Sequence, residues 1–422
     1  MPTAGATSSH ARHILVFEPD ARGHAEEWLL HIARFVHVER PAVRVTMAVP
    51  DVLARRIAAE VPGTGGLDIV ALSPAEIRCC LSANLAFGAF ARWWLMRRHL
   101  ARSGADEGCF LCIDSLTLPF ALGLGLGRRT ASGILFRPSV HYASFDRRGP
   151  TAGERFRDWR KQILYPLALK NAALSEVYSL DPYFPDYACE HYVAGEKVVA
   201  LPDPLTETAQ IPTLPLRVTR FPRDRTAFLL FGELTERKGV LQLLRACERL
   251  DPGAARWIAV ALAGRVDPAI AQRVRESVRA VRAAQPDLWI EIDDRRLSFN
   301  ELAHSVERCD VVLAPYQRFV GSSGVLIWAA RMLRPVITQR YGLLCRLVRD
   351  FRLGIAVDTS SPEALADAME HAVRSGPKSL VDHACARKFL AHRDGRTFAA
   401  NVLKVPLRAQ PQSIFTSSRA AR

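Results

Sequence analysis

The chain has 422 residues, of which 49% are hydrophobic and 24% charged, and this composition predicts a globular protein large enough for two cores. Its formal net charge of +14 favours acidic partners such as phosphorylated ligands or anionic lipid. The sequence has no long Lys/Arg block and no aromatic-rich strand pair of the single-strand-binding kind, which argues against nucleic acid as the partner.

The N-terminal segment and the cysteines bear on the compartment. The chain does not start with a basic segment followed by an apolar signal core, and no stretch reaches the roughly 18 to 20 apolar residues of a membrane span. The nine cysteines are scattered, as is typical of reduced thiols. Cys109 and Cys112 form one C-x-x-C in an apolar run, for which a strand is favoured over a redox or metal site. We therefore expect a cytoplasmic protein without a metal site.

Apolar strand patterns and helical patterns alternate along the first half. The strands are expected at 13–18, 44–50, 108–114 and 132–138, with helical spacing between them, as in residues 22–36. Such alternation predicts a parallel, doubly wound sheet. The run Gly123–Gly127 resembles a dinucleotide turn, but no acidic residue is placed to hold a ribose, so a loop or a helix-packing face is favoured.

A Pro-rich stretch at 201–218 has no periodicity and is interpreted as an interdomain linker. The alternation then resumes, and Ser361 is expected to cap the helix over 361–373. We predict an α/β protein with two Rossmann-like doubly wound domains (1–204 and 205–422) facing across a cleft. Ligands of such sheets bind at the carboxyl ends of the strands. Further strands are expected at 227–232, 257–264, 288–293, 310–315 and 334–339, and further helices at 239–250 and 299–309.

Two turns of the second half have the composition of an anion site. Gly232 ends a strand, and Arg237 and Lys238 precede a helix that begins near Gly239. Cations beside the free N–H groups of a helix start attract anions, although a solvated surface pair is the alternative.

The second turn, Gly321–Gly324, contains Ser322 and Ser323 and follows the strand at 310–315. It can present N–H and hydroxyl donors to a phosphate, or it can simply cap a buried helix. Two such turns at equivalent strand ends favour anion binding.

From about Ala227 to Val357 the chain resembles the donor-binding domain of retaining GT-B glycosyltransferases of family 4. The resemblance rests on "FGELTERKGVLQLLRA", "ALAGRV", "DVVLAPYQRFVGSSGVLIWAARMLRPVI" and "LGIAVD". It implies that Lys238 takes the place of the lysine that holds the donor diphosphate. The family's arginine falls on Glu233, and Arg237 is expected to compensate.

The resemblance also shows what is missing. The family has two glutamates separated by seven residues, one for the donor sugar and one for the ribose, and they fall near Val320 and on Trp328. Trp328 could stack on a ring, but a core position on an apolar helix is favoured.

In the first half, which resembles the acceptor domain of the same fold, His141 follows a strand end where family members often have a histidine near the donor sugar. A site role and a structural role are both open for His141. Asp114 can orient an acceptor hydroxyl or cap the next helix, with capping favoured, and Asp181 is a weaker candidate.

Residues 85–102 form a basic, aromatic, helix-compatible stretch. Phe87, Phe90, Trp94 and Leu95 can share an apolar arc, with Arg92, Arg98 and Arg102 at its margins. This pattern is typical of a helix that lies on anionic lipid, for example at the inner face of a membrane, and equally of an ordinary amphipathic helix with snorkelling arginines.

The residues and the resemblance together predict a glycosyltransferase that moves a sugar, with retention, from a nucleotide diphosphate sugar to a hydroxyl of a saccharide or a glycolipid. The donor is expected to be of the UDP or GDP type, and no cofactor is required. Loss of both glutamates favours the alternative of a catalytically silent GT-B protein that binds a nucleotide, a glycan or a partner subunit. Another two-lobed enzyme acting on a phosphorylated sugar is a further alternative.

Overall fold

The computed structural model describes residues 11–22, 24–145, 151–205, 220–319, 321 and 323–407. This part of the chain holds thirteen strands: β1 (Arg12–Phe17), β2 (Val43–Pro50), β3 (Leu67–Leu72), β4 (Glu107–Phe110), β5 (Thr130–Leu135), β6 (Leu174–Ser179), β7 (Val198–Ala200), β8 (Thr226–Phe231), β9 (Ile258–Ala263), β10 (Trp289–Asp293), β11 (Val311–Ala314), β12 (Val336–Gln339) and β13 (Gly354–Val357). They form a seven-stranded sheet of order β3-β2-β1-β4-β5-β6-β7 and a six-stranded sheet of order β10-β9-β8-β11-β12-β13. The predicted α/β class with two doubly wound parallel sheets is therefore confirmed.

The helices alternate with the strands, as a parallel sheet requires. They are α1 (Ala25–Glu39), α2 (Asp51–Glu60), α3 (Pro74–Cys80), α4 (Leu85–Ser103), α5 (Thr117–Ala121), α6 (Ala152–Lys170), α7 (Phe184–His191), α8 (Val240–Glu248), α9 (Pro252–Ala255), α10 (Ala271–Ala284), α11 (Phe299–Arg308), α12 (Gly324–Arg331), α13 (Gly342–Asp350), α14 (Pro362–Ser375), α15 (His383–Leu390) and α16 (Gly395–Val402). Ser361 caps α14 as predicted, because its side chain accepts the Ala364 N–H at 3.1 Å.

Each predicted strand is present with small differences at its ends, and the structure adds β3, β6, β7 and β13. Cys109 lies in β4, which ends at Phe110, so Cys112 falls in the following turn. The glycines of 123–127 form the turn between α5 and β5, as the loop interpretation expected. The predicted linker falls largely on residues 206–219, which lie outside the described residues.

By compactness the described chain divides into two units. The first holds the residues up to Leu111 together with those from Gly395 onward, and the second is Cys112–Asp394. In the first unit the C-terminal helix α16 packs on α1, with the rings of Trp28 and Phe398 at 5.3 Å. The domain boundary near residue 204 stays a prediction.

The six-stranded sheet of the second unit is covered on both faces. Strands β8, β9 and β11 are almost entirely buried and read as continuous apolar runs, as central parallel strands do. One face packs against α8, α10 and α14, and the other against α11, α12, α13 and α15. This burial fixes the carboxyl ends of β8 and β11, where the candidate site lies.

A buried carboxyl group follows the first strand. Glu18 is 5% exposed, and its Oε1 accepts the Asp20 N–H at 2.8 Å. Burial raises the pKa of Glu18 from 4.5 to about 7, against the smaller opposing effects of that hydrogen bond and of Arg92. The folded state thus favours the neutral acid. The contribution of Glu18 to the free energy of unfolding is therefore full below pH 4.5 and is lost as the pH rises towards 7.

Glu18→Gln should therefore stabilise the protein at pH 8 and have much less effect at pH 5. The amide keeps an acceptor for the Asp20 N–H and removes an ionisation that costs about 3 kcal/mol at pH 8. Thermal unfolding of both proteins at the two pH values measures the difference, with the exposed Glu190→Gln as the control. An equal effect of Glu18→Gln at pH 5 and pH 8 would contradict a raised pKa.

Candidate functional site

The site begins where β8 ends in a tight glycine turn. Gly232 has φ 93°, and a Cβ on Gly264 would lie 1.9 Å from the Gly232 carbonyl oxygen, so the two backbones touch. Beside this contact is a cavity of about 450 Å³. Its lining includes Gly232, Gly264 and three charged side chains, those of Glu233, Arg265 and Arg296.

Lys238 lies at the base of the site. It ends a 3-10 turn, Glu236–Lys238, is only 9% exposed, and its Nζ donates to the Phe231 carbonyl at 3.1 Å. The same Nζ lies 5.1 Å from the centroid of the Tyr316 ring. The predicted phosphate lysine is thus held at the end of β8, close to the chain that leaves β11.

A close backbone approach makes this arrangement possible. Gly239 has φ 76°, and a Cβ there would lie 1.9 Å from the Pro315 carbonyl oxygen. Any residue other than glycine would push the cationic turn away from the exit of β11. The Gln317 N–H donates to the Arg237 carbonyl at 2.8 Å and ties the two segments together.

Two exposed arginines converge on one aromatic ring of the loop after β11. The guanidinium carbon of Arg237 lies 4.9 Å from the Phe319 centroid, and that of Arg137 lies 5.7 Å from it. Arg137 also lies beside Gly321, where an added Cβ would come within 3.7 Å of its Cγ. Within the described residues, neither arginine nor Lys238 forms an ion pair with a carboxylate.

Arg137 was not recognised from the sequence. It follows β5, and its carbonyl accepts the Ser139 N–H at 2.8 Å and a hydrogen bond from Lys161 Nζ. The only sequence signal is its place just beyond a strand end, in "FRPSV". Its distance of about a hundred residues from Arg237 in the chain hides their proximity.

Hydroxyl groups fasten the loop after β11. The hydroxyls of Tyr316 and Ser323 are 2.7 Å apart, and Ser323 Oγ also accepts the Val325 N–H at 3.3 Å as the cap of α12. The Tyr316 carbonyl accepts the Tyr341 hydroxyl at 3.1 Å. Gly321 is buried, whereas Gly324 faces open space. Ser322, also a predicted phosphate contact, lies outside the described residues, as does Val320.

This arrangement is suited to an anion. Three cations surround the loop, and the N-terminal end of α12 adds partial positive charge, although the Val325 and Leu326 N–H groups there already bond to Ser323. The predicted residues Lys238, Arg237 and Ser323 are brought together here, and their role as ligands stays a prediction. No group of His, Cys, Asp or Glu side chains in the described ranges is arranged to hold a metal ion.

His141 lies in the 3-10 helix Ser139–Ser144, and its imidazole is buried. Its Nε2 is 2.7 Å from Oδ2 of Asp181, a fully buried carboxylate. Four aromatic rings pack around the imidazole, those of Tyr142, Phe145, Phe184 and Tyr187. The pair orients the imidazole and stabilises the turn, while its expected part in catalysis stays a prediction.

The capping role favoured for Asp114 is wrong. Asp114 lies inside the 3-10 helix Ile113–Leu116, no side chain caps that helix or α5, and Asp114 Oδ2 instead accepts the Phe136 N–H at 2.8 Å. Burial raises the pKa of this carboxyl group, while the hydrogen bond and Lys161 oppose the shift. Asp114 therefore holds the chain that leaves β5, next to Arg137.

Trp328 packs as the core interpretation expected. Its ring lies 4.9 Å from that of Phe299 on α11, and it joins the apolar cluster on this face of the sheet. The Trp328 side chain is partly rather than fully buried. The position at which the family has its ribose glutamate thus serves helix packing.

The basic stretch at 85–102 is helix α4, as predicted. Phe87 and Trp94 are about half exposed, and Arg98 lies over the Trp94 ring at 5.4 Å. Leu95, however, is 3% exposed and faces the core, so it does not share the outer arc. Among the described helices, none combines the length and apolarity needed to cross a bilayer.

Comparisons with known proteins bear on the class of protein to which the chain is similar. Residues 225–375 match the family model "Glycosyl transferases group 1". No curated protein matches the chain. The match in the second half, together with the fold, supports a GT-B glycosyltransferase and sugar transfer.

Three solved structures share the fold over nearly the whole chain. Sucrose-phosphate synthase from Thermosynechococcus elongatus is 15% identical, with a TM-score of 0.65 and coverage of 93% of this chain and 98% of its own. A glycosyltransferase from Rickettsia africae is 13% identical, with a TM-score of 0.61 and coverage of 94% and 97%. Anabaena HepE in complex with UDP is 14% identical, with a TM-score of 0.60 and coverage of 93% and 98%. At these identities the likeness shows the fold alone.

Trp328→Glu, which places the family's acid on α12, should destabilise the protein. The change removes the ring contact with Phe299 and sets a carboxylate against an apolar cluster, for a loss of about 2 kcal/mol or more. Urea denaturation measures the loss, with Trp328→Phe as the control that keeps an aromatic ring. A fully stable Trp328→Glu variant that binds UDP more tightly than the wild type would show that this helix face points to a ribose site.

Proposed function

We propose that the protein is a retaining glycosyltransferase that moves a sugar from a nucleotide diphosphate sugar to a hydroxyl group of a saccharide or glycolipid. The observation that carries the proposal is the convergence of Lys238, Arg237 and Arg137 on the loop that precedes α12. This loop lies within the segment that matches a glycosyltransferase family.

The proposed reaction explains why the site needs these cations. The bond between the anomeric carbon and the diphosphate breaks, the acceptor oxygen bonds to that carbon and passes its proton to the leaving diphosphate, and negative charge grows on that diphosphate in the transition state. Lys238, Arg237 and the positive end of the α12 dipole would stabilise this charge, which favours the transition state over the ground state. Arg137 would take the place of the arginine that the family has where this chain has Glu233.

The donor is proposed to be a nucleotide sugar of the UDP or GDP type. Structures of Anabaena HepE with UDP and with UDP-glucose show that a protein of this fold binds such ligands. The cavity of about 450 Å³ beside Gly232 adjoins the proposed diphosphate position and has room for a nucleoside. Arg265 and Arg296 supply hydrogen-bond donors at its wall.

His141 and the acceptor complete the proposal. The Asp181 carboxylate fixes the tautomer and orientation of His141, so that a donor sugar would meet an ordered imidazole.

The acceptor is proposed to be lipid-linked in the glycolipid case. The exposed aromatic and cationic side chains of α4 would then contact the inner face of a membrane, where such an acceptor lies.

A catalytically silent binder is the second candidate, and specific residues favour it. Trp328 and Glu233 stand where the family has a glutamate and an arginine, and neither can replace the chemistry of its counterpart. Thermal-shift measurements with UDP, GDP and ADP and their sugar conjugates, followed by turnover assays, separate the two. Stabilisation by a sugar nucleotide without any turnover towards saccharide or glycolipid acceptors would favour the silent binder.

Lys238→Met should weaken UDP binding about ten- to a hundredfold while the protein stays folded. Methionine keeps much of the apolar stem under the Tyr316 ring but removes the charged hydrogen-bond donor. Isothermal titration calorimetry measures the affinity, and circular dichroism checks the fold. Unchanged affinity in a folded Lys238→Met variant would remove Lys238 from the phosphate site.

Arg137→Ala should weaken UDP binding about three- to tenfold and reduce the salt dependence of that binding. Its guanidinium is exposed, so screening limits its effect compared with that of the buried Lys238. The matched control is Arg128→Ala, which removes an exposed arginine from the preceding turn. If both arginine variants bind UDP like the wild type, Arg137 does not contact the donor.

A further inference from the structure

Helix α6 carries an apolar stripe that its own unit leaves uncovered. Phe156, Trp159, Ile163 and Leu167 are 63%, 55%, 42% and 44% exposed. At 100° per residue these four positions fall within an arc of about 80°, and they extend for about 17 Å along the helix. We call this set the α6 stripe.

The opposite face of α6 is already packed. Tyr165, Ala168 and Leu169 on that face are buried, and α6 lies against α5. The outward rings of Phe156 and Trp159 stack on each other with their centroids 5.7 Å apart. The α6 stripe is therefore a second apolar face, which a surface helix does not need for its own packing.

Positive charge flanks the α6 stripe. Arg155, Arg160 and Lys170 are exposed on or beside the arc. The two acidic side chains of α6 form hydrogen bonds with neighbouring residues. Glu154 accepts the Thr151 N–H at 2.7 Å in a capping box, and Asp158 accepts the Ser139 hydroxyl at 2.6 Å. The outer face of α6 is thus apolar and cationic.

We propose that the α6 stripe docks on the surface of an anionic lipid bilayer. The helix would lie in the plane of the interface, with its aromatic residues among the acyl chains and its cations at the phosphates. A second copy of the chain fits the surface less well, because a two-fold contact through the α6 stripe would set Arg155, Arg160 and Lys170 against the same cations. This surface does not depend on the function proposed for the nucleotide site.

Vesicle flotation with the full chain tests the proposal. The wild type should bind vesicles that contain about 30% phosphatidylglycerol and bind far less to pure phosphatidylcholine. The double variant Phe156→Ser, Trp159→Ser should lower the partition coefficient about tenfold. The matched control is Trp257→Ser, which removes a tryptophan of similar exposure (47%) from another surface.

A charge variant and a variant of α4 sharpen the result. Arg160→Gln with Lys170→Gln should weaken binding to anionic vesicles and leave the apolar stripe intact. The α4 variant, in which Arg92, Arg98 and Arg102 become Ala, should retain the part of the binding that depends on the α6 stripe. Thermal unfolding and UDP titration show whether each variant keeps its fold.

Several outcomes would overturn the proposal. Vesicle binding that is the same for the wild type and for folded variants of the α6 stripe would exclude the α6 stripe as the docking surface. Binding that disappears only in the α4 variant would assign the contact to α4. Absence of vesicle binding, with concentration-dependent self-association that the Phe156→Ser, Trp159→Ser variant abolishes, would assign the α6 stripe to a second copy of the chain.

Discussion

The candidate site depends on one backbone contact, the approach of Gly239 to the carbonyl of Pro315. A Cβ at Gly239 would lie 1.9 Å from that oxygen, so the turn that carries Arg237 and Lys238 can lie against the exit of β11 only with glycine at this position. The hydrogen bond from the Gln317 N–H to the Arg237 carbonyl strengthens the same contact. The turn that carries Arg237 and Lys238 follows β8, and the loop that contains Ser323 follows β11. The approach of Gly239 to Pro315 brings the two segments together in one site.

Charge explains what the contact is for. Lys238, Arg237 and Arg137 surround Tyr316 and Phe319 without a carboxylate partner among the described residues, and their mutual repulsion opposes folding. Aromatic rings below the cations provide modest compensation. A bound diphosphate would relieve the repulsion and stabilise the fold, as ligands of the native state do. We therefore propose that an anion completes the site.

The sequence was most informative where burial controls the pattern. Strands such as β8 and β9 are continuous apolar runs, and Lys238, Ser323 and Ser361 follow from local turn and cap chemistry. The position of Arg137 depends on contacts between segments distant in the chain, which local periodicity does not encode. The partnership of His141 with Asp181, forty residues apart, was hidden for the same reason.

Exposure was the other quantity that sequence patterns left open. By spacing, Leu95 fits the predicted apolar arc of α4, although it faces the core, and the regular helical spacing of the α6 stripe does not reveal that these side chains are exposed. The type and spacing of apolar residues in a helix do not tell whether the rest of the chain covers them or leaves them in solvent. Which face of a helix is covered is decided by tertiary packing, and only the structure provides that.

The most direct measurement is a crystal structure of the protein soaked with UDP. We predict that the diphosphate lies between Lys238 Nζ and the N-terminal end of α12, with Arg237 and Arg137 within hydrogen-bond distance or one water molecule away. Glu233 should turn away from the phosphates. A diphosphate bound elsewhere, with Lys238 still donating only to the Phe231 carbonyl, would contradict the proposed phosphate site.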